Sequence, residues 1–155
     1  SDILLALFEA HRNIECIVIM VQEEVAERLA AKPGGSEYGL LSATAQLYGR
    51  VEKLFTLPPD AFNPPPKVHS GVVRIVIEPQ FEALQVDEEG FIEFLKLTFG
   101  QKRKTLLNNL RERYGVEPSK KALAAAKVKP DVRAEGLSLE KMAAIYHTVK
   151  NGISQ

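Results

Sequence analysis

A phenylalanine followed by three prolines and a lysine is the segment of this chain best suited to chemistry. Phe62 and Asn63 precede Pro64-Pro65-Pro66, Lys67 follows, and a β-branched run begins at Val68. Proline fixes its own φ and restricts the residue before it, so we expect a stiff, extended arm. Such an arm can hold the ring of Phe62 in place to stack on a flat base. The alternative is a proline-rich turn whose phenylalanine fills the core, and these residues alone leave both open.

A second candidate is a local block of positive charge in a chain whose formal net charge is zero. Residues 1–98 contain 8 basic and 15 acidic side chains, whereas residues 99–133 contain 10 basic and 3 acidic ones. A cluster of basic residues this close together in sequence indicates a surface that faces phosphate groups. An ordinary solvent-exposed helix face would show the same charge pattern. The positive field includes four later lysines, Lys120, Lys121, Lys127 and Lys129.

The basic block opens with the residues Gln101-Lys102-Arg103-Lys104-Thr105, which we predict to start a helix that reaches about Tyr114. On such a helix Lys104, Asn108 and Arg111 lie near one another, and leucines occupy the opposite side. A solvent-facing ridge of this kind would follow a nucleic-acid backbone, while asparagine would add sugar or base contacts. The predicted partner is therefore RNA or DNA rather than an acidic protein.

The sequence contains no complete catalytic or metal site. Three histidines, His11, His69 and His147, are too scattered for metal-ligand spacing. No glycine-rich phosphate loop follows a strand, because Gly34-Gly35 comes after a helix pattern. The single cysteine, Cys16, lies in an apolar run and is expected to be buried. One thiol offers no disulfide framework, which fits a reducing cytosol, and no run of about 18 apolar residues could span a membrane.

The first half of the chain alternates strand and helix patterns, which predicts an α/β fold. Residues 14–21 form a nearly continuous apolar run, typical of a strand that is buried on both faces. The remaining elements of this half are predicted as strands at 50–57 and 68–77 and as helices at 2–12, 22–31 and 40–48.

The second half has only helix patterns and predicts a small helical bundle. Helices are expected at 87–99, 102–114 and 120–127, and after a cap at Ser138. We place the boundary between 79 and 86 and assign residues 1–82 and 83–155 to two domains.

Five segments in order along the chain resemble one known family. They are residues 21–29 (VQEEVAERL), 38–42 (YGLLS), 62–70 (FNPPPKVHS), 101–106 (QKRKTL) and 133–138 (RAEGLS). The third is similar to the signature F-x-P-x-P-K-V-x-S of the KsgA family of ribosomal RNA adenine dimethyltransferases. The resemblance covers essentially the whole chain.

This resemblance implies the carboxy-terminal part of a Rossmann-like methyltransferase sheet, followed by a small all-helical domain. Enzymes of the family use S-adenosylmethionine to dimethylate two adjacent adenines near the end of small-subunit, 16S-type rRNA during ribosome biogenesis. Their glycine-rich cofactor loop and their N-L-P-Y type motif are not found in this sequence. We therefore expect no S-adenosylmethionine bound to this chain alone, and no activity of the isolated chain on the small ribosomal subunit.

Roles for individual residues follow from matching positions. Phe62 matches the aromatic residue that stacks on the flipped adenine, and Lys67 matches a lysine that could contact phosphate. Lys102, Arg103 and Lys104 match the basic start of a helix that faces rRNA, with Lys102 in place of a more usual arginine.

The resemblance also implies a sheet in which residues 68–77 lie between residues 14–21 and 50–57 and run antiparallel to them. The run 14–21 would then expose an apolar edge, which could drive self-association. Two alternatives remain: a stand-alone RNA-binding module without catalysis, and a relative that methylates large-subunit rRNA, which the helical half and its K-R-K block make less fitting.

Overall fold

A computed structural model describes residues 2–101 and 103–153 of the chain. The chain forms two compact units. The first contains the residues up to Lys32 together with Leu41–Gln80, and the second contains Pro33–Leu40 together with the residues from Phe81 onward. None of the helices within the described residues is long and apolar enough to cross a membrane.

The first unit holds the sheet and three helices. In chain order its elements are α1 (Asp2–Glu9), a 3-10 turn (His11–Asn13), β1 (Cys16–Gln22), α2 (Glu23–Ala30), α3 (Leu40–Tyr48), β2 (Gly49–Leu57), a 3-10 turn (Pro59–Ala61) and β3 (Ser70–Ile77). Helix α2 begins with Glu23 and Glu24, whose carboxylates favour the positive end of the helix dipole. The elements predicted for this half are thus confirmed, with ends that differ by a few residues.

The three strands form one antiparallel sheet in the order β1-β3-β2, which confirms the predicted arrangement. Val18 of β1 pairs with Arg74 of β3, and Val51 of β2 pairs with Ile75. A bulge interrupts the β2–β3 pairing after Lys53.

One face of the sheet is buried, and helix α2 packs closely against it. Ile17, Val73 and Ile75 point to this face and are buried. A Cβ atom added at Gly71 would lie 2.5 Å from the Cβ of Ala26 in α2. Glycine is therefore required where the helix approaches the central strand.

The opposite face of the sheet is open among the described residues. Val18 is 60% exposed, Met20 is 52% exposed and Phe55 on β2 is 52% exposed. Cys16 is exposed on the same face, so the prediction of a buried thiol is wrong. The expectation that β1 is buried on both faces is also wrong, because its residues alternate between a covered and an uncovered face.

The second unit is a bundle of helices. Its elements are α4 (Phe81–Leu84), α5 (Glu88–Thr98), α6 (Leu106–Tyr114), α7 (Val116–Ala125), a 3-10 turn (Ala134–Gly136) and α8 (Leu139–Ile153). Phe91, Phe94 and Tyr146 form an aromatic cluster in its core, with the rings of Phe94 and Tyr146 5.1 Å apart. Ser138 caps α8 as predicted, since its hydroxyl accepts a hydrogen bond from the Lys141 amide.

Two helices of this unit begin at other residues than the sequence pattern indicated. Helix α6 starts at Leu106 and not at Lys102, because the extended backbone of Thr105 makes it the N-cap, with its hydroxyl accepting from the Asn108 amide. Helix α7 starts at Val116, directly after Gly115, whose φ of 87° ends the preceding helix.

Candidate nucleic-acid interface

The proline arm joins β2 to β3 and combines a tight turn with an exposed stretch. Pro59 opens the 3-10 turn, in which the Phe62 amide donates to the Pro59 carbonyl at 3.2 Å. The peptide bond between Asn63 and Pro64 is cis, and residues 63–69 are exposed. The prediction of a single extended arm is therefore wrong for residues 59–61, which form the 3-10 turn. Proline fits the first position of such a turn.

The ring of Phe62 is half-buried, so it is neither a core residue nor fully in solvent. Within the described part of the chain it enters no ring–ring contact of the kind that Phe8 makes with Tyr48. A partly exposed ring on a short, proline-restricted loop has the form of a stacking surface.

The end of the arm is fastened to the start of α2. The Glu23 amide donates to the His69 carbonyl at 3.0 Å. Lys67 and His69 border an open cleft of about 410 Å³ together with three carboxylates, Glu23, Glu24 and Glu27. Those carboxylates lower the local potential, so Lys67 lies in surroundings that do not concentrate phosphate.

The described residues of the loop before α6, Gln101 and residues 103–105, form a cationic feature that is called the basic loop below. Arg103 and Lys104 are exposed on it, and the Lys104 amide donates to the Gln101 carbonyl at 3.1 Å. Lys102, the third predicted cation, lies outside the described residues. The positive end of α6 adds to the potential of these side chains.

Asn108 and Arg111 follow on α6, three residues apart and therefore on neighbouring positions of one helix face. Asn108 is half-buried and Arg111 is exposed. We predicted that Lys104, Asn108 and Arg111 form a ridge on one helix. This is wrong for Lys104, because α6 begins only at Leu106. The structure thus supplies a loop and a helix face in place of one continuous ridge.

Asn109 holds the basic loop in place, a role that our sequence analysis missed. Its side chain is buried, and its Nδ2 atom donates to the carbonyls of Thr98 at 3.0 Å and Gln101 at 3.4 Å. The available signal was an asparagine on the same stripe as Leu106 and Leu110, since a buried amide requires partners.

The described junction between β1 and α2 differs from the glycine-rich turn that cradles a nucleotide cofactor in dinucleotide-binding folds. β1 passes directly into α2 at Gln22 and Glu23, with no glycine-rich turn between strand and helix. Carboxylates at this helix start would repel an anionic cofactor group. The arrangement can stack a base and attract phosphate.

Comparisons with known proteins point to one family, by sequence and by fold. Residues 1–151 match the family model of ribosomal RNA adenine dimethylase. The chain is 62% identical over 152 residues to "Ribosomal RNA small subunit methyltransferase A" of Koribacter versatilis, covering 98% of this chain and 53% of that protein. It is 51% identical over 152 residues to the protein of the same name from Acidobacterium capsulatum, covering 97% and 54%. The chain thus spans about half the length of the curated relatives it matches.

Solved structures show the same likeness. A dimethyladenosine transferase from Plasmodium falciparum has a TM-score of 0.74 and 25% identity, covering 98% of this chain and 64% of that one. The 23S rRNA methyltransferase ErmE has a TM-score of 0.68 at 19% identity, covering 96% and 59%, and shares the fold. On the match over residues 1–151 and the 62% identity, the chain belongs to the ribosomal RNA adenine dimethylase family.

Proposed function

We propose that this chain is the carboxy-terminal, RNA-holding part of an enzyme that dimethylates two adjacent adenines near the end of small-subunit rRNA. The observation that supports it most is the 62% identity to a small-subunit methyltransferase over nearly the whole chain. The segment FNPPPKVHS, with its half-buried Phe62, supplies the feature that the chemistry needs.

In this proposal Phe62 stacks on the target adenine after the base has left the helix. The lone pair of an adenine amine is delocalised into the ring, so the enzyme must extrude the base and hold it flat. Stacking on an aromatic side chain contributes about 1–3 kcal/mol per base. Methyl transfer then depends on aligning the amine with the methyl group, which a fixed ring favours.

Residues on the basic loop and on α6 contact the rRNA backbone. Arg103, Lys104 and Arg111 neutralise phosphates, Asn108 adds a sugar or base contact, and Lys102 joins them by its position in the sequence. Lys67 adds one phosphate contact beside the stacked base, weakened by the neighbouring carboxylates Glu23, Glu24 and Glu27. Residues 1–82 present the adenine in this proposal, and residues 83–155 bind the rRNA of the small subunit.

S-adenosylmethionine supplies the methyl group in enzymes of this family. Since α2 follows β1 without a glycine-rich turn, we assign it to the part of the curated relatives that lies outside the region matched by this chain. The isolated chain should therefore bind rRNA without transferring methyl groups.

A chimera tests the proposal. The chain replaces the matching 152 residues of the Koribacter versatilis relative, and methyl incorporation into under-methylated small subunits is measured with labelled S-adenosylmethionine. The chimera should be active, Phe62→Tyr should keep most activity, and Phe62→Ala should lose roughly 5- to 150-fold, the equivalent of one stacking contact. An inactive chimera that still binds rRNA would favour a stand-alone binding module, and full activity of the alanine variant would refute the role of Phe62.

We also propose that the isolated chain self-associates through the exposed edge strand β1 and the open sheet face beside it. Val18, Met20 and Phe55 are each at least half exposed there. Exposed apolar side chains on an edge strand such as β1 favour pairing with another chain.

A further inference from the structure

The helical unit contains a second cationic feature, a cleft of about 400 Å³ beside the 3-10 turn Ala134–Gly136. Its lining includes the apolar residues Val128, Val132 and Leu137. Three lysines, Lys127, Lys129 and Lys141, also border it, against one carboxylate, Asp131. A lining that combines apolar side chains with excess positive charge suits a ribose or base with its phosphate better than a free inorganic anion.

Lys127 occupies a backbone position that favours glycine. Its φ is 58°, in the left-handed region, and it follows Ala126, the C-cap of α7. The Val128 amide donates to the Leu123 carbonyl at 2.9 Å and the Lys127 amide donates to the Ala124 carbonyl at 3.0 Å. This is the Schellman pattern, whose left-handed residue is usually glycine. A long cationic side chain at such a position is an outlier that suggests a function for its charge.

Lys141 is held at the cleft by the same segment. Its Nζ atom donates to the Ala126 carbonyl at 2.8 Å. An ammonium group has three protons, so two remain for an anion. The lysine therefore presents a positioned charge instead of a freely moving one.

The cleft adjoins the basic loop through the backbone. The Leu106 amide, directly after the basic loop, donates to the Val132 carbonyl at 2.8 Å. Val132, which lines the cleft, is thus bonded to the residue that follows the basic loop.

We propose that this cleft is a second RNA-binding site, which takes a single-stranded nucleotide with its phosphate on Lys127 and Lys141. The inference rests on the proposed function, because it extends the RNA path that begins at the basic loop. It assigns RNA as the ligand because the cleft combines apolar lining residues, excess positive charge and continuity with that loop.

The variant Lys127→Gly separates charge from structure. Glycine relieves the left-handed backbone, so the Tm should equal or exceed that of the unsubstituted chain, while the charge is lost. Gln85→Gly is the matched control, since Gln85 has a φ of 57° and is also exposed after a short helix. Binding of a fluorescein-labelled 20-nucleotide single-stranded RNA is measured by anisotropy between 50 and 200 mM KCl, and Tm by thermal unfolding.

Loss of one phosphate contact should reduce the slope of log K against log[salt] by about 0.7, which is roughly fourfold in affinity at 0.15 M salt. We expect this for Lys127→Gly, a similar loss for Lys141→Gln, and no change for Gln85→Gly. The double variant Arg103→Ala/Lys104→Ala separates the two hypotheses. If it binds weakly while both cleft variants bind normally, the second site is refuted and the proposed function stands. If the double variant and both cleft variants all bind normally, the proposed role of the basic loop is refuted, and the second site is refuted with it.

Discussion

Replacing Asn109 by leucine should destabilise the helical unit and loosen the basic loop without removing any positive charge. The substitution keeps a similar volume and deletes the Nδ2 donor that bonds Thr98 and Gln101. Thr98 is fully buried, so its carbonyl loses a partner where water cannot easily replace it. Leaving a buried acceptor without its donor costs about 1–3 kcal/mol.

The bond to Gln101 adds less. Its length is 3.4 Å and Gln101 is exposed, so water can take the place of the amide. We assign it at most about 0.5 kcal/mol, the low end for a single hydrogen bond. The total expected loss in the free energy of unfolding is therefore about 1–3.5 kcal/mol.

Urea unfolding and amide hydrogen exchange measure the two effects. The Lys104 amide donates to the Gln101 carbonyl at 3.1 Å, so its exchange should accelerate if the loop loosens. Asn151→Leu is the control, because Asn151 is exposed on α8 and its replacement should change stability by less than about 0.5 kcal/mol. A loss below about 1 kcal/mol, or unchanged exchange at Lys104 in a folded variant, would refute the assignment of Asn109.

Three further predictions concern the packing, the ion pairs and the open face. Gly71→Ala should destabilise the chain by about 1–3 kcal/mol in urea, since the new methyl group would lie 2.5 Å from the Cβ of Ala26; Gly152→Ala, which meets nothing within 4 Å, should not. Hydrogen bonds from Tyr146 and Lys150 lower the pKa of Asp87 to about 2, so the stability it confers is complete above its unfolded pKa and is lost as the pH falls toward 2. The difference in urea midpoint between the unsubstituted chain and Asp87→Asn should accordingly shrink between pH 5 and pH 2, and a constant difference would contradict the shift. Met20→Glu should reduce the mass measured by light scattering at high concentration, and a chain that is monomeric before the substitution would refute self-association through that face.

The sheet was predictable in outline, but the covering of its faces was not. Apolar residues fill both sides of β1, and that pattern usually indicates burial on both sides. Val18 and Met20 are apolar but exposed. An apolar side chain therefore does not by itself show that its face of the strand is buried. No local pattern in residues 14–21 contains that information, because a segment that covers a sheet face need not be near the strand in sequence.

The start of α6 was predictable from a signal that was overlooked. Positive side chains at a helix start oppose the helix dipole, so Arg103 and Lys104 fit a loop better than a first turn. Thr105, three residues before Asn108, is a good N-cap, and its hydroxyl accepts from that amide. The position of Asn109 among leucines indicated a buried amide, but its partners Thr98 and Gln101 could not be read from that pattern. The bond from the Leu106 amide to the Val132 carbonyl could not be predicted either, because those residues are distant in sequence.

The charge distribution separates two tasks within the proposed enzyme. The proline arm is bordered by Glu23, Glu24 and Glu27, so it adds little to the attraction of RNA, whereas the basic loop and the lysine-bordered cleft lie in the helical unit. Affinity for RNA falls with salt in proportion to the phosphates neutralised. Changes at Arg103 or Lys127 should therefore alter affinity and its salt dependence. Changes at Phe62 should instead alter the rate of methyl transfer at saturating RNA. The ring is neutral, so it releases no counterions, and its stacking fixes the position of the target base.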